Sequence, residues 1–167
     1  YEFKTTKTSE QSEANELAND ADCQNVVLVC SAGNSNGKCD VINGDDYDNE
    51  FTSGTSIYGS GYLNQYNRLG TPAVTKQGED DAAISVGSID TDRQSGSQER
   101  CSSFSDRGPA IDVWAAGDII MSPWSSGYTD PRNNSFYNYA ISGTSMASPN
   151  VSGVVALYLQ SNPTADR

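Results

Sequence analysis

Ser145 stands where a polar turn, Ser142-Gly143-Thr144, runs into an apolar stretch that continues to Gln160. From Ala147 onward, Val151, Val154, Val155, Leu157 and Leu159 lie nearly all round a helical wheel, which predicts a helix over 144–160 buried on every side. The first N–H groups of a helix have no partner within it and carry a partial positive charge. A negative charge developing beside Ser145 is stabilised there, so its type and place suit a nucleophile that attacks a carbonyl, with a backbone donor aimed at the oxyanion. Gly143 lets chain or substrate approach closely. The same pattern fits a structural helix capped by Thr or Ser, and on spacing alone both readings stand.

Composition narrows the partners. A formal charge of −12 argues against electrostatic binding of nucleic acid or anionic lipid, and the scattered aspartates read as a solvated acidic surface that suits a salty or extracellular setting. No run approaches the roughly 20 apolar residues of a membrane span, and the first residues lack the apolar core of a signal peptide. With 167 residues and 35% hydrophobic content the chain can bury one core. Cys23, Cys30, Cys39 and Cys101 lack metal-ligand spacing and there is no histidine, which argues against zinc. Cys30 ends an apolar run and reads as a buried thiol; Cys39 and Cys101 lie in polar stretches and can pair if the fold brings them together.

The elements that must position Ser145 follow in order. Ala14, Leu17, Ala18 and Ala21 recur at helical spacing, predicting an amphipathic helix over 8–23. Residues 26–29, Val-Val-Leu-Val, are a continuous apolar run expected of a parallel strand buried on both faces. Small residues then lead out of its carboxyl end to Asn34, which on turn chemistry alone is an ordinary turn residue. Residues 35–71 lack periodicity and read as a long loop or hairpin insertion, with Tyr47, Tyr58, Tyr62 and Tyr66 available to pack it. Second and third strands are predicted over 82–89 and 111–116, separated by a turn cluster at 102–109. Asp112, beside the third strand, reads as a solvated edge or capping group. Residues 121–138 read as a loop delivering the chain to Ser145; they include the glycosylation-like triplet Asn133-Asn134-Ser135. The similar Asn150-Val151-Ser152 falls in the predicted buried helix.

Gly143-Thr144-Ser145-Met146-Ala147-Ser148-Pro149, followed by Val151 and Gly153, closely resembles the nucleophile motif of the subtilisin-like serine peptidases, the subtilases. The family usually has His after the Pro; here it is Asn150, a departure that touches local packing because that His is not the catalytic one. Residues 26–34, Val-Val-Leu-Val-Cys-Ser-Ala-Gly-Asn, resemble the subtilase strand whose terminal Asn donates its side-chain amide to the oxyanion. The resemblance implies that Asn34 joins the Ser145 N–H as oxyanion donor. It also implies that Ser31, Ala32 and Gly33 line one wall of a substrate pocket, with Gly143 and Thr144 beside it. Pro72-Ala73 resembles the turn closing that pocket. In some subtilases the Asp corresponding to Asp112 binds calcium with main-chain carbonyls, here those of Asp81 and Ala83.

The implied fold is α/β and three-layered: a mostly parallel sheet from 26–32, 84–89 and 111–116, with helices 8–23 and 144–160 packed on it. In the family the triad runs Asp, His, Ser, and the first two fall before the segment corresponding to Tyr1. The resemblance therefore makes residues 1–167 a partial peptidase domain with an insertion at about 35–71. It implies an endopeptidase acting on polypeptides, needing no cofactor for its chemistry, and the acidic composition suits a secreted one. An upstream segment or separate chain supplies Asp and His, and without them turnover nearly vanishes. A catalytically dead peptide-binding module and a purely structural domain are the alternatives; retention of both Ser145 and Asn34 favours the peptidase.

Overall fold

The computed structural model describes residues 26–41, 83–90, 99–130 and 132–165, and the backbone of short strands at 2–3, 49–52, 65–66, 76–77 and 80–81. In chain order the strands are β1 (Glu2–Phe3), β2 (Leu28–Ser31), β3 (Gly37–Lys38), β4 (Asn49–Thr52), β5 (Gln65–Tyr66), β6 (Lys76–Gln77) and β7 (Asp80–Asp81). They continue with β8 (Ala83–Asp90), β9 (Arg100–Cys101), β10 (Val113–Ala116), β11 (Ile120–Trp124), β12 (Tyr128–Asp130) and β13 (Asn133–Ile141). The helix α1 spans Thr144–Ser161.

The central sheet has the order β10-β8-β2, all parallel, with β9 added antiparallel to the end of β8. The three apolar segments predicted as strands thus become neighbours, although β2 starts at Leu28 and β10 at Val113. Central β8 is the most buried, and its two inward serines are satisfied rather than left bare. Ser85 Oγ donates to the Asp112 carboxylate at 2.9 Å and bonds the Ala110 carbonyl. Ser88 Oγ meets Ser102 Oγ at 2.7 Å, and Ser88 N–H donates to Ser105 Oγ at 3.0 Å. These bonds tie the turn cluster at 102–110 to the sheet.

Helix α1 packs across β8, β2 and β10. Asn150 Nδ2 donates to the Ala116 carbonyl at 2.9 Å and Ser148 Oγ to the Val29 carbonyl at 3.5 Å, anchoring its first turns to the outer strands. The expectation of a helix buried on every side is overturned. Thr144 and Ala147 are buried, whereas Val154, Leu157 and Tyr158 are 66%, 65% and 59% exposed. Apolarity all round a wheel means burial only if neighbours cover both sides, and the sheet covers one.

Among the described residues, 121–138 are mostly strand and not one long loop. They make up most of a three-stranded antiparallel sheet, β11-β13-β12, in which Trp124 faces the Tyr139 ring at 6.0 Å. Most of its side chains are exposed, so no alternation of apolar and polar residues marks the strands. Within the predicted 35–71 excursion, β4 and β5 pair with β1 and β3 in the order β1-β4-β5-β3. The predicted 8–23 helix, Cys23 and Pro72-Ala73 lie outside the described residues.

The Cys39–Cys101 pairing is also corrected: Cys30, Cys39 and Cys101 are free thiols. Cys39, placed by sequence in a polar stretch, is fully buried, clasped by main chain: its N–H donates to the Arg107 carbonyl and its carbonyl accepts from Ala110. Cys101 Sγ instead turns to the Ser102 carbonyl at 3.4 Å. Cys30 is half-buried rather than buried, and burial pushes its thiol up.

Candidate active site

Strands β2, β8 and β10 run parallel, so their carboxyl ends share one edge, the place where open α/β sheets bind ligands. Beyond β2 the chain passes through Ala32 and Gly33 to Asn34. Beyond β10 it reaches Gly117, whose carbonyl accepts the Gly143 N–H at 2.8 Å and so fixes the start of α1 at the same edge. Ser145 is the second residue of α1 and is exposed.

The helix start has no local cap and no acidic residue in its first turn. Its cap comes from Asn34: Thr144 N–H donates to Asn34 Oδ1 at 2.8 Å, and Thr144 Oγ1 donates to the same oxygen at 2.9 Å. Thr144 Oγ1 in turn accepts the Gly33 N–H at 3.1 Å, which commits its own proton to Asn34. A backbone N–H can only donate, so the amide atom facing Thr144 must be the oxygen. The Asn34 carboxamide is thereby locked with Nδ2 as its outward end. A Cβ placed on Gly143 would come within 3.4 Å of that nitrogen, so glycine leaves the amide uncovered at the helix start. The Thr144 and Met146 N–H groups are taken by Asn34 Oδ1 and the Gly143 carbonyl, so the donors that remain for a developing oxyanion at the positive end of the helix are Asn34 Nδ2 and the Ser145 N–H.

Ser145, Asn34, Gly33, Gly143 and Thr144 are therefore brought together. Ser31 pairs with Val86 at the end of β2, and buried Ala32 donates its N–H to the Val86 carbonyl at 2.9 Å, so both lie on the strand end leading into the site. Pro149 sits inside α1 and cannot supply the N–H that its turn would use, while Asn150 Nδ2 also donates to the Met146 carbonyl at 3.3 Å. Asn150, at the position of the family's His, thus braces α1 against itself and against β10; it is exposed, not buried as its helix was expected to be.

Asp112, Ala83 and Asp81 lie elsewhere. Asp112 Oδ2 accepts the Ser85 N–H at 2.7 Å and the Ser85 hydroxyl, Ala83 opposes Leu28 in the central sheet, and Asp81 pairs through its backbone with Lys76. Among the described residues no three His, Cys, Asp or Glu side chains group to hold a metal. Of these three, the Asp112 carboxylate is an oxygen ligand of the kind Ca²⁺ takes, and its Oδ2 is held by Ser85.

Sequence reasoning missed Asp106. Fully buried, it accepts the N–H groups of Ser35 at 2.9 Å and Gly37 at 2.8 Å on Oδ1, just past Asn34. Its only signal in the sequence is an acidic residue in a turn cluster.

The model of the subtilase family matches residues 2–167. The chain belongs to the subtilase family. The relatives of this subtilase include the extracellular serine proteinase of Thermus sp., 44% identical over 84 residues, which are 50% of this chain and 17% of that protein. Subtilisin-like protease 2 of Arthroderma otae is 35% identical over 118 residues, 70% of this chain and 23% of that protein. A solved protease structure from Pseudoalteromonas arctica shares the fold at TM-score 0.54 and 24% identity, covering 96% of this chain and 37% of that one. The subtilase chain thus spans no more than about a quarter of these two relatives.

Proposed function

We propose that this subtilase chain is the nucleophile-bearing portion of a serine endopeptidase that hydrolyses peptide bonds through an acyl-enzyme. Ser145 Oγ attacks the scissile carbonyl; Asn34 Nδ2 and the Ser145 N–H hold the resulting oxyanion; the intermediate collapses to an ester on Ser145 with release of the amine, and water frees the acid. The observation that carries this reading is the capping bond from Thr144 N–H to Asn34 Oδ1, which leaves the donor end of the Asn34 amide beside the nucleophile position. A cap is ordinary; one supplied 110 positions away by an amide whose nitrogen is left at the helix start suits an oxyanion site better than a structural turn.

A serine hydroxyl needs a general base, and the 167 residues contain no histidine. The Asp and His of the triad come, in this proposal, from protein outside residues 1–167 or from a separate chain, and residues 1–167 are part of one peptidase domain. The exposed apolar residues Val154, Leu157 and Tyr158 on α1 are consistent with a site that is completed by further protein. The name of the Thermus relative, an extracellular serine proteinase, supports a secreted setting. A structural Ca²⁺ on Asp112, with the carbonyls of Asp81 and Ala83, belongs to the proposal as a stabilising ion; melting unaffected by calcium or chelator would remove it.

The test is hydrolysis of a protein substrate by the natural-length protein and by its Ser145→Ala variant. The proposal expects the variant to fold as the wild type does and to lose the activity. Undiminished hydrolysis by a folded Ser145→Ala protein would refute it.

A further inference from the structure

Residues 104–107 bond to the segment carrying Asn34 at several points along its length. Asp106 N–H donates to the Gly33 carbonyl at 2.9 Å, Asn36 N–H to the Phe104 carbonyl at 2.8 Å, and Arg107 N–H to the Gly37 carbonyl at 2.9 Å. Between these rungs the Asp106 carboxylate takes the N–H groups of Ser35 and Gly37 on one oxygen. Asn36, in the left-handed region at φ 51°, turns the backbone between those two amides so that both reach the same acceptor. The other carboxylate oxygen lies against Gly33: at φ +109° a Cβ there would sit 2.4 Å from Asp106 Oδ2. The main chain on both sides of Asn34 is thus moulded on the Asp106 side chain, while the Asn34 side chain points away to Thr144.

We propose that Asp106 is the positioning residue for the oxyanion donor: its carboxylate sets the backbone from Gly33 to Gly37 and, through it, the placement of Asn34 Nδ2. The inference rests on the reading of Asn34 given under the proposed function. The hydrogen bonds described for the Asp106 carboxylate go to the main-chain amides of Ser35 and Gly37. Its effect on the oxyanion donor passes through Asn34, so that effect must vanish when Asn34 is removed.

That dependence defines the test. In the natural-length protein, active sites are counted by titration with a sulfonyl fluoride, and kcat and KM are measured for Asp106→Ala, Asn34→Ala and the double variant. The inference expects Asp106→Ala to lower kcat per titrated site by roughly 10- to 100-fold with KM changed less than about 3-fold, as for a displaced catalytic group. In the Asn34→Ala background the same change should cost less than about 2-fold, because the donor it positions is gone. Asp106→Asn, which keeps an oxygen for both amides, should recover most of the loss. If Asp106→Ala yields no titratable sites, Asp106→Ser, whose hydroxyl is too short to reach both amides, takes its place in the cycle. Equal losses in the two backgrounds, or fewer sites at unchanged kcat per site, would overturn the inference by making Asp106 a purely structural residue. A wild type without peptidase activity, or an Asn34→Ala variant of full activity, would instead sink the reading of the site itself and the inference with it. That result differs from one in which Asn34→Ala slows the enzyme and Asp106→Ala does not.

Discussion

Asn34 Oδ1 accepts the Thr144 N–H at 2.8 Å and the Thr144 hydroxyl at 2.9 Å, joining the turn beyond β2 to the first residue of α1 across 110 positions of sequence. One bond pair does two jobs: it satisfies a helix N–H that has no partner within the helix, and it fixes which end of an amide faces the site.

Thr144→Val tests that lock. It keeps the shape but removes the hydroxyl that accepts the Gly33 N–H and donates to Asn34. The expected result is a stability loss of about 1 kcal/mol from a part-buried donor without an acceptor, and a fall in kcat of the natural-length enzyme. Denaturant unfolding and steady-state kinetics read the two effects. Wild-type values for both would mean that the Thr144 hydroxyl orients nothing.

Gly33→Ala should be worse than an ordinary surface change. The backbone there is at φ +109°, and the added methyl would lie 2.4 Å from Asp106 Oδ2. We expect a loss of at least about 1–3 kcal/mol, seen as a lower denaturation midpoint at unchanged slope. A neutral result would show that the turn at Asn34 is not held as described.

What could be read beforehand was whatever is written in consecutive residues. The apolar runs at 26–29 and 82–89 announced parallel strands, but burial on both faces holds for β8 only: β2 is half-buried along its length and Val26, ahead of it, is 45% exposed. The nucleophile motif at 143–149 was legible as a resemblance. The Asp106 clamp was not, because its partners Ser35 and Gly37 are backbone amides 71 and 69 positions away and backbone amides carry no residue signature. The β11-β13-β12 sheet escaped for a related reason: strand pairing is a main-chain event, and side chains exposed on both faces leave no periodicity. The helix was located correctly but its burial was not, since a wheel shows which residues are apolar and not what covers them.

In that sheet Asp130 should act as an acid-sensitive tie. Hydrogen bonds from the Arg132 side chain, at 2.7 and 3.0 Å, and from Asn138, at 3.0 Å, hold its carboxyl well below the usual carboxylate range. A depressed folded value means that its contribution is present above the unfolded carboxylate value of about 3.9 and is lost as the pH falls below that. Trp124 fluorescence, followed from pH 6 to pH 2, should show a loosening of this sheet that Asp130→Asn lacks. High salt should weaken the effect, as the Arg132 side chain is exposed. Identical acid profiles for the two proteins would contradict it.

Cys39 should be the least reactive of the three described thiols. Burial, and next the charge of Asp106, push it up to about 12, so at pH 8 almost no thiolate is available to an alkylating reagent. Peptide mapping after iodoacetamide treatment of the native protein should find Cys101 and Cys30 modified before Cys39, with the difference abolished in denaturant. Equal native rates would contradict the buried setting of Cys39.

The most direct measurement is covalent labelling of the natural-length protein with a fluorophosphonate, followed by mass spectrometry of its peptides while residual peptidase activity is recorded. One adduct is expected, on Ser145, formed in step with loss of activity, and none on the Ser145→Ala variant. An active peptidase that is inhibited with its label on another residue would contradict it.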